Sequence, residues 1–124
     1  MVGHVRTITG HHVLHAPLDV RLEERGDTAV VHISGACDAS CHEHMRSRLL
    51  EAEVGGARRI VLDLTELHFI DSIGLRVVIG AWNRARHAGH AFSVALAGSG
   101  QVKRVFELTG VEHIVQSAAA PRAT

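Results

Sequence analysis

Tyrosine is absent from this 124-residue chain, tryptophan occurs once and phenylalanine three times. Neither sign of charge is in excess, because 13 basic and 13 acidic side chains cancel. A protein that binds nucleic acid by neutralising phosphates needs a basic surplus, and so does one held at a membrane by a polybasic patch. The balance argues against both. No apolar run approaches the roughly 20 residues of a spanning helix. Met1 to Gly10 lacks the apolar stretch of a secretory signal, so the chain is expected in the cytoplasm. Two cysteines, Cys37 and Cys41, are too few for a disulfide scaffold. What is present is an ordinary globular composition, 46% hydrophobic and 21% charged. A chain of this length buries about two thirds of its unfolded surface, enough for one self-sufficient core.

The hydrophobic pattern divides the chain into three parts. Residues 1–17 form a His-rich arm without periodicity, ending at Pro17. Residues 18–116 carry the domain, and residues 117–124 are expected to be a flexible tail. Within the domain, Leu18, Val20 and Leu22 alternate with polar residues, and so do Ala29, Val31 and Ile33. The Glu24–Asp27 turn between them makes a hairpin, and Gly35 is expected to end its second strand. Cys41, Met45, Leu49 and Ala52 share one helix face, capped by Asp38 or Ser40 and stopped at Gly55-Gly56. Ile60 to Leu64 is a nearly continuous apolar strand, expected to lead into a short loop. Leu75, Val78, Ile79, Trp82 and Ala85 mark a second helix closed by Gly89. Phe92, Val94 and Leu96 make another strand. Val102, Val105 and Phe106 make a short helix ending at Gly110, and Val111 to Val115 a last short strand. Strand–helix–strand crossovers impose parallel pairing. The fold class is therefore α/β, a small sandwich of a mixed β-sheet with helices packed mainly on one face.

The segment Leu62 to Leu75, LDLTELHFIDSIGL, is where chemistry is concentrated. A buried strand bends at Phe69-Ile70 and a helix begins at Asp71-Ser72. This places the Ser72 hydroxyl outward at a helix N-terminus, where backbone N–H groups and the helix dipole tolerate negative charge. Gly74 in the first turn is expected to keep the approach to Ser72 clear. Taken alone, a DS pair before an amphipathic helix is most simply an N-cap.

The run IVLDLTELHFIDSIGLRVVIGAWNRARHAG, followed by VKRVFELTGVEHIV, closely resembles the STAS domain, and within it the bacterial anti-sigma factor antagonists. The strand-end LDL, the F-I-D-S-x-G-L turn, the amphipathic helix and the R-V-F-E-L-T-G close are specific jointly. The resemblance implies a protein-binding switch rather than an enzyme. Such proteins bind an anti-sigma factor that is also a serine kinase, release a sigma factor, and are switched off by phosphorylation, which a cognate serine phosphatase reverses. It implies Ser72 as the phosphoacceptor and Asp38, Asp71, Ser72, Ile73 and Gly74 as partner-binding positions. Ile73 stands where the family usually has Ser or Thr. Ala36-Cys37 stands where an acidic and an apolar residue are common. No catalytic residue, metal or cofactor is implied, and the chain carries neither a Walker nor a kinase signature.

Other readings stay in view. A STAS domain can serve another assembly, such as a stress-sensing or lipid-transport complex, without sigma regulation. Cys37-x3-Cys41-x2-His44, with His42 beside it, holds ligand types that suit a transition metal or thiol enzyme. Buried structural cysteines are the simpler reading, because Cys37 occupies an apolar family position and Cys41 a core-facing helix position. His4, His11, His12 and His15 of the arm could hold metal loosely, with compositional bias the simpler explanation. His68 is expected on a loop at the strand edge. Trp82 is read as a packing residue, Arg84 and Arg86 as a solvated face, and Gly98-Ser99-Gly100 as a plain loop.

Overall fold

Alternation builds the first hairpin. Strand β1 (Asp19–Arg25) pairs antiparallel with β2 (Thr28–Cys37) across a tight turn at Gly26. The computed structural model describes residues 18–39, 41–111 and 114. The His-rich arm, the tail and Ser40 lie outside these. Helix α1 (His42–Val54) follows, then β3 (Arg59–Ile70), α2 (Ser72–Ala88), β4 (Ala91–Leu96) and α3 (Gln101–Leu108). The sheet order is β1-β2-β3-β4. β3 pairs parallel with both β2 and β4, as the crossover argument requires. The sheet is therefore mixed and the class is α/β.

The core lies on one face of the sheet. Ala29, Val31 and Ile33 of β2, Ile60, Leu62 and Leu64 of β3 and Val94 of β4 bury against Met45 and Leu49 of α1, Leu75 and Val78 of α2, and Val102 and Phe106 of α3. Period-two strands and period-3.6 helices meet along this surface, and every helix contributes to it. Among the described residues no helix is long and apolar enough to cross a membrane.

Several boundaries move from those expected. β2 does not stop at Gly35 but runs on to Cys37. Gly35 sits at φ 98°, a left-handed value that a side chain rarely adopts, between two shifts in the β2–β3 register. β3 likewise continues past Leu64 to Ile70, so no loop precedes the helix. Two steps along β2, His32 to Ser34, match three along β3, Asp63 to Glu66. One step, Gly35 to Ala36, matches two, Leu67 to Phe69. These bulges change the burial spacing on β3 from two to three: Leu64, Leu67 and Ile70 are all buried. His68 is thus an exposed strand residue rather than a loop residue. The N-cap position of helix α1 is not Asp38, and Ser40 lies outside the described residues. That position is Cys41, whose side chain makes no cap hydrogen bond. The expected last strand is not formed over its described part, because Ile114 N–H donates to Val111 O in a turn.

Candidate phosphoacceptor and partner-binding site

Three segments meet at the C-terminal ends of the parallel strands. Cys37, the last residue of β2, pairs with Ile70, the last residue of β3. The β2–α1 connection therefore lies beside the β3–α2 junction, at the end of a parallel sheet where ligand and partner sites commonly form. Asp71 occupies the N-cap of α2 in extended conformation (φ −98°, ψ −178°), and its Oδ1 accepts the Gly74 N–H at 2.8 Å. The Leu75 N–H donates to Asp71 O at 3.0 Å. The cap therefore fixes the first turn, and Ser72 stands there exposed.

A second group holds the cap. His42, the first residue of α1, donates from Nε2 to Asp71 Oδ1 at 2.8 Å. An ionised carboxylate only accepts, so that ring nitrogen carries a proton. Partial burial raises the Asp71 pKa, but the Gly74 N–H and the His42 ring together outweigh it and hold the carboxyl below its usual range. Asp71 is thus an anion at neutral pH, one residue from the Ser72 hydroxyl.

A third group holds the strand end. The Gln101 side chain accepts the Ile70 N–H at 2.9 Å through Oε1 and donates from Nε2 to Ile70 O at 3.0 Å. One amide therefore satisfies both backbone groups of the residue before Asp71, and α3 is tied to the turn.

Gly74 is needed for a reason other than the one expected. It is buried, and a Cβ there would lie 2.9 Å from Ile70 Cγ1 and 3.3 Å from both Asp71 Oδ1 and Cys37 Sγ. The glycine makes room inward, for β3 and the sulfur, rather than outward for a visitor to Ser72. The outward face is apolar: Ile73 is 49% exposed and Phe69 41% exposed. A groove of about 340 Å³ opens next to Ile73 between α1 and α2, with His42, Arg46, Arg76 and Gly80 among its walls. Arg84, at its far end, is not simply solvated but forms a two-pronged pair with Glu53 of α1. Arg86 stacks over Trp82 at 4.9 Å.

Of the five expected positions, Asp71, Ser72, Ile73 and Gly74 form one turn. Asp38 is exposed in the adjoining connection, where its carbonyl accepts the Cys41 N–H at 2.9 Å. His42 and Gln101 escaped sequence reasoning, because both act on the turn from 29 or more residues away. Cys37 and Cys41 are both fully buried, as the structural reading expected, but they are joined to each other as a disulfide and not held as thiols. Among the described residues no group of three or more His, Cys, Asp or Glu side chains is placed to hold a metal, so Cys37, Cys41 and His44 do not assemble one.

A mixed sheet backed by helices, with a serine-bearing turn at the end of β3, defines a small α/β sandwich. The sequence matches the STAS domain over residues 19–122, and the chain belongs to that family. It is 28% identical over 100 residues to an anti-sigma-B factor antagonist of Listeria monocytogenes, an alignment covering 80% of this chain and 87% of the relative. An anti-sigma factor antagonist from Mycobacterium paratuberculosis has the same fold, with a TM-score of 0.72 at 20% identity over 80% of this chain and 83% of that one. The anti-sigma factor antagonist SpoIIAA in its unphosphorylated form gives a TM-score of 0.70 at 24% identity, over 81% of this chain and 88% of that one.

Proposed function

We propose that this protein is an anti-sigma factor antagonist. It binds an anti-sigma factor that is also a serine kinase, thereby frees a sigma factor, and is switched off when the kinase phosphorylates Ser72. A cognate serine phosphatase resets it. The observation that carries this reading is the exposed Ser72 at the first position of α2, on a turn over-determined by Asp71, His42 and Gln101. The Listeria relative's role as an anti-sigma-B factor antagonist supports the choice of partner.

The chemistry asked of this chain is presentation, with the transfer itself performed by the partner. A hydroxyl on a rigid helix start gives a kinase one geometry to meet, so little ordering cost remains at the moment of transfer. Ile73 and Phe69 supply apolar contact around it, and Asp38 and Asp71 a polar rim. Phosphorylation adds about −1.5 to −2 charges. In an interface centred on Ser72 that charge would be buried beside the Asp71 carboxylate. Losing about 4 kcal/mol of binding corresponds to about a thousandfold in affinity, within reach of one unpaired buried dianion. Nothing in the fold needs to unravel for the switch to work.

The test is to incubate the purified protein and ATP with each anti-sigma serine kinase of the source organism and locate the product by mass spectrometry. One phosphate on Ser72 is the expected result. Undiminished incorporation into Ser72→Ala would overturn the assignment.

A further inference from the structure

The proposed phosphate transfer to Ser72 makes no chemical use of the disulfide between Cys37 and Cys41. We infer that this pair is a redox modification site, closed by a hydroperoxide and reopened by a dithiol, whose state sets how firmly the Ser72 turn is held. The inference rests on the reading of Ser72 as the residue a partner modifies, and names a regulation of that same site.

The bridge joins residues only four apart in sequence. So short a closed loop restricts the unfolded chain less than a long one would, and the bond also acts directly on local geometry. That geometry is specific. Cys41 sits at the N-cap of α1, a position normally filled by a hydrogen-bonding side chain, and makes no such bond. Its bond to Cys37, the last residue of β2, anchors the helix start in place of a cap. The next residue, His42, makes the 2.8 Å bond to Asp71. From the other side, Cys37 Sγ lies 3.3 Å from where a Gly74 Cβ would be. Two routes therefore lead from the sulfurs to Ser72: through His42 to the capping carboxylate, and through direct packing beneath the first turn of α2.

The chemistry balances with reagents of known class. One thiolate attacks the hydroperoxide, giving a sulfenic acid and releasing the alcohol. The second thiol condenses with the sulfenic acid, forming the S–S bond and releasing water. Reduction proceeds by exchange with a dithiol, which leaves as its own disulfide while both cysteines regain protons. In the dithiol form the two sulfurs separate to van der Waals distance and press on Gly74. α1 loses its anchor and His42 its fixed approach to Asp71. Both sulfurs are fully buried, so reagents reach them when the connection bearing the exposed Asp38 and Ala39 opens locally.

Two measurements on the intact protein test this. Alkylation followed by intact mass, after equilibration in glutathione buffers of graded poise, counts free thiols. The expected result is a titration from two alkylated cysteines to none. Amide hydrogen exchange then compares the peroxide-oxidised and dithiol-reduced forms, and the Gly74 and Leu75 amides are expected to exchange about fivefold or more faster when reduced. A Cys37→Val, Cys41→Ala double variant, which offers no side-chain cap, is expected to exchange at the reduced rate whatever the oxidant, and the wild-type pair of measurements stands without it. Two alkylated cysteines at every poise would overturn the inference. So would a disulfide that forms and breaks without altering exchange at Gly74 and Leu75. Failure of every kinase to modify Ser72 would overturn the reading of Ser72 and leave both of these readouts intact.

Discussion

Gly74 sets two opposed effects against each other. Replacing a helical glycine by alanine normally gains about 1 kcal/mol of helix propensity. Here the new methyl would sit 2.9 Å from Ile70 Cγ1, and Ile70 is fully buried. Asp71 Oδ1 and Cys37 Sγ, each at 3.3 Å, close the other directions. Overpacking of this kind costs about 1–3 kcal/mol, so strain outweighs the gain in propensity. Gly74→Ala is expected to lose about 1 kcal/mol net, read as a lower urea midpoint. An unchanged or raised midpoint would mean that the first turn of α2 has room to spare. The sequence pointed to this glycine for the wrong face, because a one-dimensional pattern places Gly74 next to Ser72 and cannot place it against Cys37, which is 37 residues earlier.

At the scale of elements, β3 and α3 together decide where the turn stands. The nearly continuous apolar run from Ile60 to Leu64 made that strand legible. Beyond it the alternation fails, since Leu64, Leu67 and Ile70 are three apart, and a bulged strand then reads as a loop. The helix register was plain because α2 carries a full core stripe between the Asp71 cap and Gly89. The Gln101 clamp was not legible, since a glutamine after a glycine-rich loop has no local signature of its remote backbone partner. Gln101→Ala strands the Ile70 N–H and C=O in a partly buried place. About 1–3 kcal/mol of stability is expected to go with them, with faster exchange of the Ile70 amide. An unaltered Ile70 exchange rate would show the clamp to be incidental.

The opposite face of the sheet carries a cross-strand polar ladder. His32 on β2 bonds Asp63 on β3 through Nδ1 and Glu23 on β1 through Nε2, each at 2.9 Å. The His32 and Arg25 bonds hold the Glu23 carboxyl below its usual range. Burial raises the Asp63 pKa, but hydrogen bonds from Thr65 and His32 outweigh it and leave it lowered too. Asp71 shifts in the same direction. A carboxyl with a depressed folded-state pKa contributes stability that is fully present above the unfolded value, near about 4, and is lost as pH falls through the folded value. From these groups, stability is expected to hold steady from pH ~7 to ~5 and to decline below ~4. Urea midpoints across that range check it, and Asp63→Asn should flatten the decline. A variant as acid-sensitive as the parent would remove Asp63 from the explanation.

Over the described residues the molecule is a platform that holds the Ser72 hydroxyl out at the end of β3. Its core is enclosed between the sheet and the helices, while Ser72, Ile73 and Phe69 stand exposed at the end of β3, on a turn supported by three separate elements. Such a platform can be switched by charge alone. Ser72→Ala is expected to bind the kinase partner as the unmodified protein does, and Ser72→Asp more weakly. The most direct measurement is calorimetric: the affinity of this protein for the proposed anti-sigma kinase partner before and after stoichiometric phosphorylation of Ser72. A weakening of about a thousandfold, with the circular dichroism spectrum unchanged, is the result expected. Equal affinity of the two forms, or a loss of binding accompanied by unfolding, would contradict it.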